Sequence, residues 1–415
     1  MAGLPSYLRP GAPRPELPGL EAVFGRPPFV LADFVGRALA FLRGREAAGT
    51  GFRFQEAACL PCTWKCVDES LFGVDLILLA YTGRYPFAKG LMGGFFNRAA
   101  LGAAVQHGPI NLDFGGGHVG YQPGPGGGSF GRVRRPQQGH DSTDCGYLTA
   151  LLAPFVQAYR QAGRDIRLHS PDGDKVVVSL PEEYLRPESS GRGVRLLVDL
   201  DALTAGPVPP GLAEPEAGRS LFSVRPDFLD RLPGDEAGLF RSPRPRPIGL
   251  RLGAECFNIF DPRAELDQAG LPRPRLLQFM NSIVSDRQAP PGLAVSLVNA
   301  GLEHRRLVEA VREPDFEPCA FASFSGLFID LYSEDLEAYA NLFQPLSLLL
   351  KPAGRSRGLE LGPEEIHQRF EDLKPVPPRR PLAQVLGFEP PADLAERFTF
   401  RPGFFREPEE PAGRA

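Results

Sequence analysis

Apolar residues recur along this chain at helical and at strand spacing, and the points where each pattern starts and stops outline its elements. From Phe29 to Arg45 they fall at Val30, Leu31, Phe34, Val35, Ala38, Phe41 and Leu42, the stripe of an amphipathic helix. The run Val74 to Tyr81 has strand length, a Gly-rich segment follows from Thr82 to Gly94, and a short helical patch lies near Phe95 to Val105. Ile110 to Phe114 predicts a buried strand ending in a glycine turn, Gly115 to Gly120. The segment from Gln122 to Gly139 is too rich in Pro and Gly to be anything but a loop. Asp141, Ser142 and Thr143 offer cap oxygens to a helix with apolar positions at Leu148, Leu151, Leu152, Phe155, Val156 and Tyr159, and Pro154 should bend it.

Further on, Lys175 to Leu180, Gly193 to Leu200, Gly292 to Val298 and Ala320 to Leu331 read as strands, whereas Arg305 to Arg312 and Pro363 to Leu373 read as helices. The predicted class is α/β, a mixed sheet flanked by helices, with an additional mixed α/β region towards the C-terminus. The expected divisions are a Pro/Gly-rich arm (1–28), a first domain (29–205), a Pro-rich connector (206–248), a C-terminal region of open role (249–405) and a tail (406–415). No repeat is visible.

Composition narrows the function classes. With 47 Gly and 45 Pro among 415 residues, long ordered loops are expected. The net charge is -4 and the basic residues are scattered through Pro-rich segments, which argues against nucleic acid as a partner. No stretch reaches the ~18 consecutive apolar residues of a membrane span. Residues 1–28 contain no apolar signal core, so a cytoplasmic location is expected. The 6 cysteines crowd into Cys59, Cys62 and Cys66, with Cys145, Cys256 and Cys319 apart. That is not a disulfide framework, and it points to metal or redox chemistry.

Zinc favours thiolate sulfur and imidazole nitrogen, and a catalytic site leaves one position open. Cys66 at a strand-to-loop junction, His118 in the glycine turn and Cys145 at a helix start can supply three such ligands. A helix N-terminus also favours the thiolate form. Asp68 would either take the fourth position or accept a hydrogen bond from bound water. Cys59 and Cys62 could instead join Cys66 in an iron-sulfur cluster or a redox pair, though that leaves the histidine motif without purpose. Gly115-x-Gly117-x-x-Gly120 matches the dinucleotide fingerprint in letters, but the Pro/Gly-rich segment after it cannot open the helix that fingerprint needs.

Cys66-Val67-Asp68-Glu69, Gly116-Gly117-His118-Val119-Gly120 and Ser142-Thr143-Asp144-Cys145-Gly146 resemble, in order and approximate spacing, the motifs of the limiting-carbon-dioxide-inducible protein B/C family, a divergent group of β-type carbonic anhydrases. The segment Tyr81 to Gly90, with Pro86-Phe87, is similar to the family's apolar Gly-Pro stretch, and the likeness runs over roughly Phe52 to Tyr159. The resemblance implies a β-carbonic-anhydrase-like fold with Zn2+ held by Cys66, His118 and Cys145. It implies a lyase that hydrates carbon dioxide reversibly to bicarbonate by zinc-hydroxide attack, in a homodimer or larger homo-oligomer. Asp68 would gate the open position, held off the metal by an arginine. Many relatives carry that arginine two residues after the aspartate, where this chain has Ser70, and Arg84 is the substitute chosen here. Phe87, Phe95, Val119 and Tyr121 would wall the pocket, and His107 or His140 would move the proton. Two other readings stay open: a silent zinc-stabilised module in inorganic-carbon handling, and the iron-sulfur or redox protein.

Overall fold

A computed structural model of the chain describes residues 18–122, 128–135, 140–143, 145–186, 194–232, 236–249, 251–260, 276, 278–285, 289–333 and 338–382. Most of the expected arm, the tail 406–415 and residues 383–405 of the C-terminal region lie outside these.

The strands, in chain order, begin with β1 (Phe29–Val30), β2 (Cys59–Trp64), β3 (Phe87–Ala88), β4 (Ile110–Gln122), β5 (Ser129–Phe130), β6 (Arg132–Arg135) and β7 (His140–Thr143). They continue with β8 (Arg167–His169), β9 (Val177–Pro181), β10 (Arg195–Val198), β11 (Thr204–Pro207), β12 (Arg219–Val224), β13 (Arg246–Pro247) and β14 (Phe257–Phe260). β15 (Ala320–Ser333), β16 (Ala338–Lys351) and β17 (Leu359–Leu361) complete the series. The largest sheet runs β1-β16-β15-β4-β2-β3, with β17 and β5 added to β16 and β4. It is mixed: β4 is parallel to both β2 and β15, and β15 is antiparallel to β16. A second sheet, β11-β12-β9-β8-β13, is antiparallel throughout. The main sheet therefore takes strands from both sides of residues 206–248. One buried apolar cluster also joins Phe34, Phe114 and Phe324 to Val178, Leu180 and Phe228 of the second sheet and the helix after it.

The helix Leu31–Arg43 forms where its stripe predicts, and the stripe faces the sheet. Phe34, fully buried, meets Phe114 and Phe324 edge-on and packs on Phe343 and Phe370. Burying one such ring is worth about 1.5–3 kcal/mol.

Two apolar runs expected as strands are helices. Phe72–Thr82 covers the run Val74 to Tyr81, and Pro291–Val311 covers Gly292 to Val298. A short apolar run cannot be assigned by periodicity when it is buried nearly all round. The deciding constraint is topological in the first case: β2 and β3 are parallel, and a parallel pair needs a crossover. Gly83, at φ 75°, closes that helix in the left-handed conformation. The second helix opens on Pro291, a residue suited to a first turn.

The expected glycine turn is also strand. β4 passes straight through Gly115, Gly116 and Gly117 to Gln122, because these glycines serve close approach. A Cβ on Gly115 would sit 2.1 Å from the Trp64 ring, and one on Gly116, at φ 148°, would sit 1.7 Å from the Gly326 carbonyl oxygen. Asp141, Ser142 and Thr143 belong to β7 instead of capping the next helix, which spans Gly146–Asp165, includes Pro154 and has Cys145 as its N-cap residue.

Candidate metal centre

Three elements distant in the sequence bring Cys66, His118 and Cys145 together. Cys66 lies just past β2, His118 stands on β4 and Cys145 opens the helix Gly146–Asp165. One donor atom from each falls within 4.8 Å of the others, all three residues are buried, and among the described residues this is the one such group of potential metal ligands. Two sulfurs and an imidazole are the donor set zinc prefers, so the residues present fit that ion.

Cys66 and Cys145 are shifted in opposite directions. The Cys145 thiol hydrogen-bonds the Cys66 sulfur, and His118 and the Gly93 backbone N–H, 3.1 Å away, add to the effect, which outweighs burial and brings Cys66 down to about 4. The same hydrogen bond and burial push Cys145 up. The helix N-terminus was expected to lower Cys145, but with Cys66 carrying the charge, a second thiolate beside it is disfavoured.

His118 is fully buried, and its Nδ1 lies 2.9 Å from Asp330 Oδ2 on the neighbouring β15. Asp330 also accepts from Ser70 Oγ at 2.6 Å and from Asn341 Nδ2 at 2.6 Å. Ser70 lies two residues beyond Asp68, so the position where relatives were expected to carry an arginine is occupied by a hydroxyl that ties the loop to β15.

Asp68 does not belong to the converging donor set. Arg135, at the end of β6, holds it in a two-pronged grip, with Nη1 at 2.9 Å from Oδ1 and Nη2 at 3.1 Å from Oδ2. The Ser70 N–H donates to Oδ1 at 3.0 Å. Burial raises the Asp68 carboxyl, but Arg135 and His118 prevail and hold it down at about 2. Arg135 also pairs with Glu69. Arg84 does not partner Asp68: its guanidinium donates to the Cys59 carbonyl at 2.8 Å and the Ala57 carbonyl at 2.9 Å. It sits at the opposite end of β2 from Cys66.

Of the expected walls, Phe95 is buried in the same apolar cluster as Cys66 and Cys145 and meets Tyr147 edge-on at 5.7 Å. Val119 and Tyr121 pack instead with Leu293, Leu327 and Ile329 in a separate cluster. The Phe87 ring lies 5.5 Å from His107. His140, exposed on β7, is opposite Arg135 in register. Sequence reasoning missed Asp330, Ser70 and Asn341. The available signal was an acidic residue inside the apolar run Ala320 to Leu331, since a carboxylate is rarely buried without partners.

Fold and site together define a mixed α/β protein with a central mixed sheet flanked by helices and a buried Cys-His-Cys centre that could hold a metal ion. No protein-family model matches the chain, and no curated protein matches it. Among solved structures, the chain is similar to PtLCIB4, a homolog of the limiting CO2-inducible protein LCIB, at 13% identity and a TM-score of 0.45, covering 84% of this chain and 99% of that one. It is also similar to the limiting CO2-inducible protein LCIB, at 15% identity and a TM-score of 0.37, covering 80% of this chain and 92% of that one. Among the described residues, no helix is long and apolar enough to cross a membrane.

Proposed function

We propose that this protein is a zinc-dependent carbonic anhydrase, with Cys66, His118 and Cys145 as the metal ligands and carbon dioxide and bicarbonate as its substrates. The observation that carries the reading is the Arg135–Asp68 pairing. It engages both oxygens of Asp68, the carboxylate that the motif resemblance places at the fourth position. This favours an open site over the silent zinc-stabilised module. The three motifs support the choice of reaction through their resemblance to β-type anhydrases.

When bound, zinc supplies the Lewis acidity that makes water a nucleophile at neutral pH. The chain's own residues do the rest. Asp68, kept ionised and oriented by Arg135, can accept a hydrogen bond from a reacting water and hold it in one direction. Phe95, fully buried and edge-on to Tyr147, two residues past Cys145, provides an apolar wall suited to a small unpolar substrate. His140 is exposed and opposite Arg135 in register, which suits it to exchange a proton with solvent.

The test is stopped-flow carbon dioxide hydration by zinc-loaded protein beside Cys145→Ala. Turnover above background is expected from the first and none from the second, and identical background rates from both would remove the reading. Elemental analysis should give one zinc per chain. Iron with acid-labile sulfide would instead favour the cluster reading of Cys59, Cys62 and Cys66. The homodimer implied by the resemblance is checked by sedimentation equilibrium.

A further inference from the structure

We infer that Asp330 is the positioning residue of this centre: it holds the His118 imidazole with its proton on Nδ1, so that the electron pair of Nε2 is directed at Cys66 and Cys145. The inference rests on the metal-site reading above, and it brings into the site a residue far along the chain, on β15, to which no motif points.

The chemistry follows from who can donate. A carboxylate only accepts hydrogen bonds, so an imidazole nitrogen 2.9 Å from Asp330 Oδ2 must carry a proton, and in the neutral ring that a metal ligand requires the other nitrogen is then the acceptor or ligand atom. Asp330 is itself fixed. Ser70 Oγ donates to Oδ2 at 2.6 Å, and Asn341 Nδ2 donates to Oδ1 at 2.6 Å and to the Ser70 carbonyl at 3.2 Å. His118 and Asp330 are fully buried, Ser70 and Asn341 nearly so, and Asn341 lies directly across from Asp330 in the β15–β16 register. The His118 carbonyl accepts from Ser296 Oγ at 2.9 Å, so backbone and ring are both anchored. Outer partners of this kind set ring orientation and ligand basicity, and losing one typically costs ~10–100-fold in metal affinity.

The network also predicts what asparagine at this position would do. Asn341 donates to the Oδ1 side, so the oxygen of the new amide would settle there and its NH2 would occupy the Oδ2 side. From that side it donates to His118 Nδ1, which pushes the ring proton onto Nε2, where it blocks the ligand atom. Asp330→Asn, close to isosteric, therefore reverses the tautomer, whereas a merely structural carboxylate would leave it unchanged.

The test uses the 415-residue chain and two measurements. The His118 tautomer is read from imidazole 15N shifts in metal-free protein, at a pH high enough for the shifts to report a neutral ring, and is assigned with a His118→Gln control. Zinc affinity is read by chelator competition. The expected result is an Nδ1–H tautomer in the parent, an Nε2–H tautomer in Asp330→Asn, and zinc affinity lower by ~10–100-fold in that variant. An Nε2–H tautomer in the parent, or parent-like affinity in Asp330→Asn, overturns the inference. A parent that binds no zinc defeats the metal reading instead, and the tautomer comparison then decides the Asp330 assignment alone. Should Asp330→Asn fail to fold, Ser70→Ala loosens the carboxylate without removing it. It should keep the Nδ1–H tautomer and lower zinc affinity by less than tenfold, and unchanged affinity would count against the inference.

Discussion

Two sets of cysteines lie a few residues apart on one segment and have opposite chemistry. Cys59 and Cys62 stand within β2, and both thiols are held protonated. Burial, with Asp113 adding to it, pushes Cys59 up to about 12, and burial outweighs Lys89 to raise Cys62 further. Cys62 Sγ rests near the Leu60 carbonyl at 3.6 Å and Asn111 Oδ1 at 3.5 Å. Cys66, past the end of the strand, is as buried as Cys59, at 5% exposure each, yet comes down to about 4. Burial is therefore not what separates them. The difference lies in what faces the sulfur: a hydrogen-bonding thiol, an imidazole and a backbone N–H at Cys66, against an apolar strand and a carboxylate at Cys59. Metal ligation needs the deprotonated form, so of Cys59, Cys62 and Cys66 the last alone is prepared for it before a metal arrives.

The largest test of this contrast is deletion. Cys66→Ala should lose bound zinc and all turnover, whereas Cys62→Ala should keep both, as read by elemental analysis and stopped-flow hydration. Zinc retained by the first variant, or lost by the second, would erase the distinction.

The next effect concerns Arg135. Arg135→Leu frees the Asp68 carboxylate, and turnover should fall by ~10–100-fold while zinc stoichiometry stays at the parent value. Unchanged turnover would mean that the clasp does not govern the open position.

Stability provides the third test. Lys89 and Asp113 form a fully buried ion pair beside Cys62. Lys89→Met leaves a buried charge unpaired and should cost about 3–5 kcal/mol in denaturant unfolding. The corresponding loss in Lys89→Met/Asp113→Leu should be much smaller, and equal losses would contradict the pairing.

The smallest effect is one of thiol reactivity. A group whose pKa is lowered in the fold stays ionised as pH falls until that lowered value is reached, so Cys66 should keep thiolate character from neutral pH down to about 4. In metal-free protein at pH 6, peptide mapping after iodoacetamide should find adducts on Cys66 ahead of Cys59 and Cys62. Equal labelling would show that tertiary contacts do not divide the two sets.

The sequence was most legible where one period ran uninterrupted. The stripe from Val30 to Leu42 and the run from Ala320 to Leu331 became the helix and strand their spacing predicts. It misled at Val74 to Tyr81 and Gly292 to Val298, where apolar residues on every side carry no period, and at Gly115 to Gly117, where glycine meant close packing and not a turn. The three donor residues were visible because thiol and imidazole side chains are scarce and stood in recognisable motifs. Arg135 stood in no motif, and Arg84 was named in its place; the pairing depends on the β6–β7 register, which the sequence does not display.

What the sequence determined by itself was which atoms are available: two thiols, an imidazole and a carboxylate, each on a segment able to hold it. What only the tertiary structure decided was their state. The parallel pairing of β4 with β15 brings Asp330 to His118, and the β6–β7 hairpin brings Arg135 to Asp68. Both contacts join residues far apart in the chain. Electrostatic and hydrogen-bond effects on a buried group depend on distances of a few ångströms, and those distances exist only once the sheet has formed. The candidate donor atoms were therefore legible in the sequence, while their convergence and their hydrogen-bond partners belong to the fold.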